Sequence, residues 1–323
     1  MARKELPSGW INRKRYLSLQ IGSWAILLGG LLFLFGYNFL IQELETLTFI
    51  IWLVVIIIAN SIFKSSIVNK EKMETNKPML ELIRNIEGEA ALVAVNELLA
   101  KEDLSNAMKR KYSIEKVYTL LYLGRDQEAK ELLEQIERPA MSNDLFIYLE
   151  LCFELSDNPR LLLEEEYNRL NDIQDYQARN TLDGILHYRE SILDAEASGE
   201  PSQELREMIY TQRDIFTMLM NQYRIIRIYR HKSRYLTREA CEKILEYAND
   251  LARFTRLANE VLEELGPVNE EEKEEAERAK EQGSAFLTFE DSSKEEQEEI
   301  EQQEATTDVI DVDAQEVKDD NNQ

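Results

Sequence analysis

The side chains with the clearest chemical potential are six basic residues between positions 224 and 238. The stretch YRIIRIYRHKSRYLTR is the one basic cluster in the otherwise acidic body of the chain. On a helix its basic side chains share an arc of about 120°, opposite Ile225, Ile228 and Tyr229. Guanidinium groups bind carboxylates and phosphates through paired, charge-assisted hydrogen bonds. The pattern therefore predicts an anion-binding face made by Arg224, Arg227, Arg230, His231, Arg234 and Arg238.

Three kinds of anion could meet this basic face. The first is the protein's own carboxylates, such as those of Glu164, Glu165 and Glu166. The second is the headgroups of an anionic membrane, where each base contributes about 1 kcal/mol near the surface. The third is nucleic acid, which a net charge of −24 disfavours. The buried face must change around Asn221, which predicts a break or a short extended segment there.

Residues typical of enzymes form no recognisable arrangement in this sequence. The two histidines, His187 and His231, have no cysteine or acid at the spacing of metal ligands. The two cysteines, Cys152 and Cys241, lie far apart within helical patterns, which is typical of a reduced compartment. No glycine-rich phosphate loop and no hydrolase motif occurs. We therefore expect no enzymatic activity, no cofactor and no bound metal.

Two long apolar runs near the N-terminus determine where the rest of the protein lies. Residues 16–42 and 46–63 contain no acidic or basic side chain. About 20 apolar residues are enough to cross a hydrocarbon core of about 30 Å. Because only residues 43–45 separate the two runs, they are predicted to form a transmembrane hairpin with a short external turn. Neither run carries the buried charges that mark an ion path, so we do not expect a channel or transporter.

The charges around the hairpin predict its orientation. Residues 1–15 hold five bases and one acid, and Lys64, Lys70 and Lys72 follow the second run. The turn at 43–45 holds two acids and no base. Lysine and arginine residues that flank spans stay on the cytoplasmic side. The sequence thus predicts a two-span protein of the cell membrane with both termini in the cytoplasm.

Small residues follow one face of the first span at spacings of three, four and seven. Such residues let two membrane helices approach closely. Either this face receives the second span, or it forms a seam between two copies of the protein; both interpretations stay open. The residues are Ser18, Gly22, Ala25, Gly29 and Gly36.

After a linker at 64–77, residues 78–267 carry apolar side chains at helical spacing, which predicts an all-α cytoplasmic body. In the segment EKVYTLLYLGRDQEAKELLEQIERP, two amphipathic helices are predicted to meet at Gly124, and Ala129 and Leu133 follow on the buried face of the second helix. This pattern resembles the second half of a tetratricopeptide repeat, over about residues 90–170. The resemblance implies stacked helix pairs that bind proteins, and plain antiparallel packing without repeats is the alternative.

The C-terminal segment, 268–323, differs from the body in composition. It carries 21 acidic and 5 basic residues and has too few apolar residues to fold. Its last apolar stretch, DVIDVDAQEV, resembles the acidic end of the main bacterial ATP-dependent chaperone, which implies a bacterial source. The segment is either a solubilising tail or a carrier of docking peptides. The residues that would dock are Phe286, Leu287, Phe289, Val309, Ile310 and Val312.

Together these features predict a membrane-anchored helical scaffold or adaptor. Its expected partners are the lipid bilayer, other proteins and, if the small-residue face is a seam, a second copy. The alternative is an accessory or regulatory subunit of an envelope, secretion or division machine. That subunit would act on anionic lipid or nucleic acid through residues 224–238.

Overall fold

The computed structural model describes residues 6–281 apart from 8, 42–45, 140–142 and 211–213. Within these residues the chain forms fourteen α-helices and no strand, which confirms the predicted all-α fold. The helices are α1 (Arg13–Ile41), α2 (Thr46–Thr75), α3 (Lys77–Ile83), α4 (Gly88–Leu99), α5 (Asn106–Tyr122), α6 (Asp126–Leu133), α7 (Asn143–Leu155), α8 (Pro159–Leu170), α9 (Tyr176–Ser198), α10 (Gln203–Tyr210), α11 (Ile215–Tyr229), α12 (Arg234–Tyr247), α13 (Ala252–Leu265) and α14 (Glu270–Glu281).

The first two helices, α1 and α2, are long, apolar and packed against each other. They contain 29 and 30 residues, so each is about 44 Å long at ~1.5 Å per residue. Both are long and apolar enough to cross a membrane, and little of either apolar stretch is buried inside the protein. The core helix of a soluble protein would be buried instead. The predicted turn at 43–45 lies outside the described residues.

Two glycines and one hydrogen bond bring α1 against α2. A Cβ atom at Gly22 would come within 2.5 Å of the Phe63 ring, and one at Gly30 would meet an α2 side chain at 2.7 Å. Between these glycines, the buried Ser23 hydroxyl donates to the side-chain oxygen of Asn60 at 2.9 Å. Close backbone approach and interhelical hydrogen bonds of this kind drive helix association in lipid.

The predicted small-residue face of α1 coincides only partly with its packing face. Gly22 lies against α2, but a Cβ atom at Gly29 or Gly36 would meet nothing within 4 Å. Ser18 and Ala25 are exposed. The face toward α2 is rotated from the predicted one and includes Gly22, Ser23, Gly30 and the buried Leu34. Contact of the exposed part with a second copy stays a prediction.

The helix α2 continues well beyond the predicted span. Residues 64–75, predicted to be a linker, extend it without interruption to Thr75. The sequence has no glycine or proline between Lys64 and Pro78 that would stop a helix. The apolar run and the helix therefore end at different places, since lipid crossing requires apolar side chains and helix formation does not.

Ile11, Asn12 and Arg15 contact Glu71 near the C-terminal end of α2, and we call this cluster the clasp. The buried Glu71 carboxylate accepts the backbone N–H groups of Ile11 and Asn12, the latter at 2.8 Å. The Asn12 side chain in turn caps α1 by accepting two backbone N–H groups of its first turn. Arg15 pairs with Glu71 at 3.4 Å. One carboxylate thereby ties the start of α1 to the end of α2.

The N-terminal segment also contacts the helical body formed by α3–α14. Leu6 is buried, and its N–H donates to the carbonyl of Asp103 at 3.1 Å. Arg13 donates to the Asp103 carboxylate at 3.2 Å. The Tyr112 hydroxyl donates to the carbonyl of Thr75 at 3.2 Å. The hairpin is therefore joined to the body by direct contacts.

The body packs around two hydrophobic clusters. The larger joins α3–α6 to α10–α13 and has an aromatic centre in which the rings of Tyr122, Phe216 and Phe254 lie 5.1 to 6.2 Å apart. The smaller joins α7, α8 and α9. In seven of these helices the residue just before the helix accepts an N–H group of the first turn through its side-chain oxygen, which fixes where each begins. The capping residues are Ser105, Asn158, Asp175, Ser202, Asp214, Ser233 and Asn269.

Two boundaries in the C-terminal half differ from the predicted ones. α11 begins after its N-cap, Asp214, and is continuous through Asn221, so the break predicted there does not occur. Part of the segment predicted to be too polar to fold is helical, because residues 270–281 form α14. There the buried Glu272 accepts hydrogen bonds from Arg238, and Ser233 donates to Glu275. Residues 282–323 lie outside the described residues.

Replacing Gly30 tests the packing face of α1. We expect Gly30→Val to destabilise the hairpin by about 1–3 kcal/mol, because the added atoms overlap α2. The matched control is Gly29→Val, which carries the same loss of glycine and the same β-branched residue but points into open space. SDS titration of the detergent-solubilised protein measures both. Equal destabilisation by the two variants would contradict this packing face.

Replacing Glu71 tests the clasp. Glu71→Ala leaves two backbone N–H groups without their acceptor, and we expect a local cost of about 1–3 kcal/mol. Amide hydrogen exchange at Ile11 and Asn12 should then be about 5- to 150-fold faster than in the wild type, because every 1.4 kcal/mol is a factor of ten. Glu74→Ala, which removes only a partly exposed pair with Arg15, should leave these amides protected.

Candidate functional site

The α11–α12 hairpin carries the predicted basic face and turns its arginines toward acids of the body. Arg227 donates to Glu154 at 3.0 Å and to Glu196 at 2.9 Å. Arg230 donates to Glu264 on α13 at 2.9 Å. In these contacts the charges of Arg227 and Arg230 are paired with carboxylates of the protein itself.

The two arginines of α12 hold the C-terminal end of α13. Arg234 donates to the carbonyl of Leu265, and Arg238 donates to that of Gly266 at 2.7 Å. Both also pair with the buried Glu272 of α14. A cation at this position satisfies carbonyls that have no partner within the helix. These side chains therefore fasten α13 and α14 to α12.

The acids that the sequence suggested as partners are engaged elsewhere. Glu166 is buried and pairs with Arg138 at 2.6 Å and with Arg169 at 2.7 Å. Glu164 and Glu165 are exposed. The arginines do meet carboxylates of the protein itself, but these come from α7, α9, α13 and α14.

The centre of this network is Glu154 on α7. Its carboxylate lies 2.9 Å from Arg189 of α9, 3.0 Å from Arg227 of α11 and 2.9 Å from Arg253 of α13. Burial alone would raise the pKa of this carboxyl, but the three guanidinium groups more than reverse the effect and lower its pKa from 4.5 to about 2. Glu154 therefore stays ionised and links four helices.

Two neighbouring carboxylates show the opposite balance. Burial raises the pKa of Glu150, and Arg224 only partly offsets this. Burial likewise raises the pKa of Glu196, with Arg227 opposing it. These acids have fewer guanidinium groups around them than Glu154 has. The network thus holds one strongly stabilised carboxylate beside two that are costly to ionise.

Sequence reasoning missed five members of the network, among them Glu196 of α9. Glu150 and Glu154 stand four positions apart in the apolar helix NDLFIYLELCFEL, so they share a helix face. Acids recurring within an apolar helix are a signal of buried ion pairs, and this signal was present. Arg189 and Arg253 are single bases in mixed sequences, and nothing local distinguishes them from surface arginines.

A cleft of about 840 Å³ adjoins the network between α5, α7, α9, α10 and α11. Its walls are largely apolar and include Tyr118 and Phe216. Phe146 and Met208 also line it and are 41% and 47% exposed, so both present apolar surface in the cleft. The polar groups of the cleft include the Glu150 carboxylate and Arg224. A mostly apolar cleft with a few converging polar groups is typical of a binding site.

Arg224 is the member of the basic face that opens into this cleft. It lies 3.6 Å from Glu150, and its guanidinium stacks 5.6 Å from the centre of the Tyr188 ring. In the described part of the chain it has no shorter polar contact. Its side chain remains 18% exposed. It can therefore meet an anion that enters the cleft.

The remaining predicted residues lie outside this site. Gly124 turns between α5 and α6 with φ +72°, and Ala129 and Leu133 are buried on α6. His231 is exposed, and His187 is close to the Tyr167 hydroxyl, at 3.3 Å. Among the described residues no group of three or more histidines, cysteines and acids could hold a metal ion.

Of the two cysteines, Cys241 belongs to the larger hydrophobic cluster and Cys152 packs against it. Burial raises the pKa of the Cys152 thiol to about 11 and that of the Cys241 thiol to about 12. Thiols of this kind are poor nucleophiles, because the thiolate is the reactive form. Neither is part of the cleft.

Comparisons with protein-family models, curated proteins and solved structures found no match to this chain. The tetratricopeptide resemblance and the bacterial source therefore rest on the sequence patterns alone. The tail residues Phe286, Leu287, Phe289, Val309, Ile310 and Val312 lie outside the described residues.

Replacing Glu154 tests the network. Glu154→Gln leaves three guanidinium groups without their common anion, and we expect the free energy of unfolding at pH 7 to fall by about 3–5 kcal/mol. Because the pKa of Glu154 is lowered on folding, its contribution is complete above about pH 4.5 and disappears as the pH falls toward 2. The difference between wild type and variant should therefore shrink over that range.

Thermal unfolding of the full chain at a series of pH values measures this difference. The exposed Glu164→Gln is the matched control, and its effect should stay within ~0.5 kcal/mol. A constant difference between wild type and Glu154→Gln from pH 7 to pH 3 would contradict the assignment.

Proposed function

We propose that this protein is a membrane-anchored helical adaptor that binds partner proteins in the cleft between α7, α9, α10 and α11. Its hairpin crosses the cell membrane with both termini in the cytoplasm, and its body lies at the cytoplasmic surface. The observation that carries the proposal is the cleft itself. Exposed Phe146 and Met208 offer anchor sites for apolar side chains of a partner.

The attachment of the body to the hairpin supports this function. The clasp around Glu71 and the contact between Tyr112 and Thr75 hold the body at the end of α2. A cleft held in this way stays near the membrane and keeps one orientation toward it. Adaptors that recruit proteins to a membrane require such a fixed presentation.

The adaptor also fits the chemistry of the residues better than the alternative, an accessory subunit that acts on anionic lipid or nucleic acid. The alternative needs the charges of residues 224–238 to be accessible. Arg227, Arg230, Arg234 and Arg238 are instead bonded to acids and carbonyls of the body. Breaking charge-assisted bonds of this kind costs about 1.5–3 kcal/mol each, which leaves little net attraction for an outside anion.

Partner capture from native membranes tests the adaptor function. The full chain is cross-linked in its own membranes, purified in detergent, and its partners are measured by quantitative mass spectrometry. The double variant Phe146→Ser, Met208→Ser should lose its specific partners by at least about tenfold, since anchor residues each contribute ~2 kcal/mol or more.

The control is the double variant Leu161→Ser, Tyr176→Ser, which removes two exposed apolar side chains, 51% and 77% exposed, that do not line the cleft. It should retain the wild-type partners. If both double variants recover the same partners in the same amounts, the cleft is not the binding site and the proposal fails.

A further inference from the structure

We propose that the cleft is occupied by the protein's own C-terminal tail, through the segment 308–313, when no partner is bound. The tail segment would place its apolar side chains against the cleft walls and an aspartate against Arg224. This inference rests on the proposed adaptor function, and it adds an occupant that a partner must displace.

Arg224 is the first reason for this assignment. Each of the other four arginines in the basic face donates at least one hydrogen bond to an acid or a carbonyl. Among the described residues Arg224 has only the Tyr188 ring and a carboxylate at 3.6 Å. It is held in place by stacking, and most of its five N–H donors stay available. The cleft therefore suits a ligand that combines apolar side chains with a carboxylate.

The composition of the tail is the second reason. In the sequence DVIDVD, carboxylates alternate with β-branched apolar side chains. A segment of this kind can place apolar side chains on one wall while a neighbouring aspartate reaches a guanidinium group. The residues concerned are Asp308, Val309, Ile310, Asp311, Val312 and Asp313.

The reach of the chain distinguishes this segment from the first apolar island, 285–289. Contacts of Glu272 with Arg238 and of Glu275 with Ser233 show that α14 runs antiparallel to α12 and therefore parallel to α11. After Glu275, α14 continues for six residues, about 9 Å, in the direction that leads away from Arg224.

Arg224 itself lies five residues before the end of α11, about 8 Å back along that helix. Leu287, at the middle of the first island, must therefore cover about 17 Å along the helix direction and in addition the distance across α12, with a reach of at most ~20 Å from Glu281. The segment 308–313 starts 27 residues after Glu281 and reaches up to ~90 Å. Covalent attachment supplies it at an effective concentration on the order of millimolar.

Photo-cross-linking of the full chain in phospholipid nanodiscs tests the assignment. p-Benzoylphenylalanine is incorporated at position 310 and, as the control, at position 287. Irradiated benzophenone reacts readily with methionine, and Met208 and Met220 both line the cleft. We expect intramolecular products on these methionines from position 310 and not from position 287.

Variants then test the chemistry of the contact. Val309→Ser with Val312→Ser alters only the tail, so the body cannot be affected, and it should lower the yield from position 310. Arg224→Gln should lower the same yield by about tenfold, the equivalent of one charge-assisted hydrogen bond. Arg230→Gln removes an equal charge outside the cleft and should leave the yield unchanged.

Products outside the cleft, or equal cleft yields from positions 287 and 310, would overturn the assignment. Products between two copies, detected by mixing isotopically labelled and unlabelled chains, would overturn occupation by a chain's own tail. Either failure leaves the adaptor function intact if Phe146→Ser, Met208→Ser still abolishes partner capture. If position 310 gives no product in the cleft and the double variant Phe146→Ser, Met208→Ser still captures the wild-type partners, both proposals fail.

Discussion

The body of this protein depends on one buried carboxylate. Glu154 accepts contacts from arginines on three other helices, each within 3.0 Å, and only 10% of its side chain is exposed. Four charges placed together away from water are costly to desolvate, and they contribute little net stability when paired. Their contribution is to geometry, because a buried ion pair keeps its strength only while its groups stay within hydrogen-bonding distance and orientation. α7, α9, α11 and α13 consequently meet in one register.

The cleft follows from the same network. Arg227 is drawn inward by Glu154 and Glu196, and this fixes the rotation of α11 about its own axis. One turn earlier on that helix, Arg224 must then lie at the boundary between core and cleft, where Glu150 is its nearest acid. The incomplete pairing of Arg224 is therefore a consequence of the complete pairing of Arg227.

The parts of the fold that were predictable from the sequence are those that depend on neighbouring residues. The two long apolar helices, the all-α body and the turn at Gly124 follow from apolar runs, helical periodicity and a residue that accepts positive φ. The partners of the arginines were not predictable, because an arginine at helical spacing bonds equally well to any carboxylate that the fold brings near. The carboxylate it finds depends on tertiary packing.

The same distinction explains the other differences. α1 has small residues on two adjoining faces, and the bulky α2 side chains Phe63 and Ile56 cover the face that includes Gly22 and Gly30. The acidic segment 270–281 has the composition of a solvated tail, yet it consists of strong helix formers. Arg238 and Ser233 complete it by binding two of its glutamates. The composition of this segment is compatible with either a helix or an unfolded chain, and its contacts with α12 stabilise the helix.

The unbroken course of α2 has a mechanical consequence. With α1 and α2 in a bilayer, the twelve residues from Lys64 to Thr75 form a rod about 17 Å long between the lipid and the body. The contacts of Glu71 with the N-terminal segment hold this part of α2 from the side, and the helix has no break along its length. Each residue inserted into this rod would turn the body by about 100° about the rod axis and move it by about 1.5 Å along that axis. Proteins that float in the same membrane would therefore find the cleft at one height and one azimuth, and their search for it would take place in two dimensions.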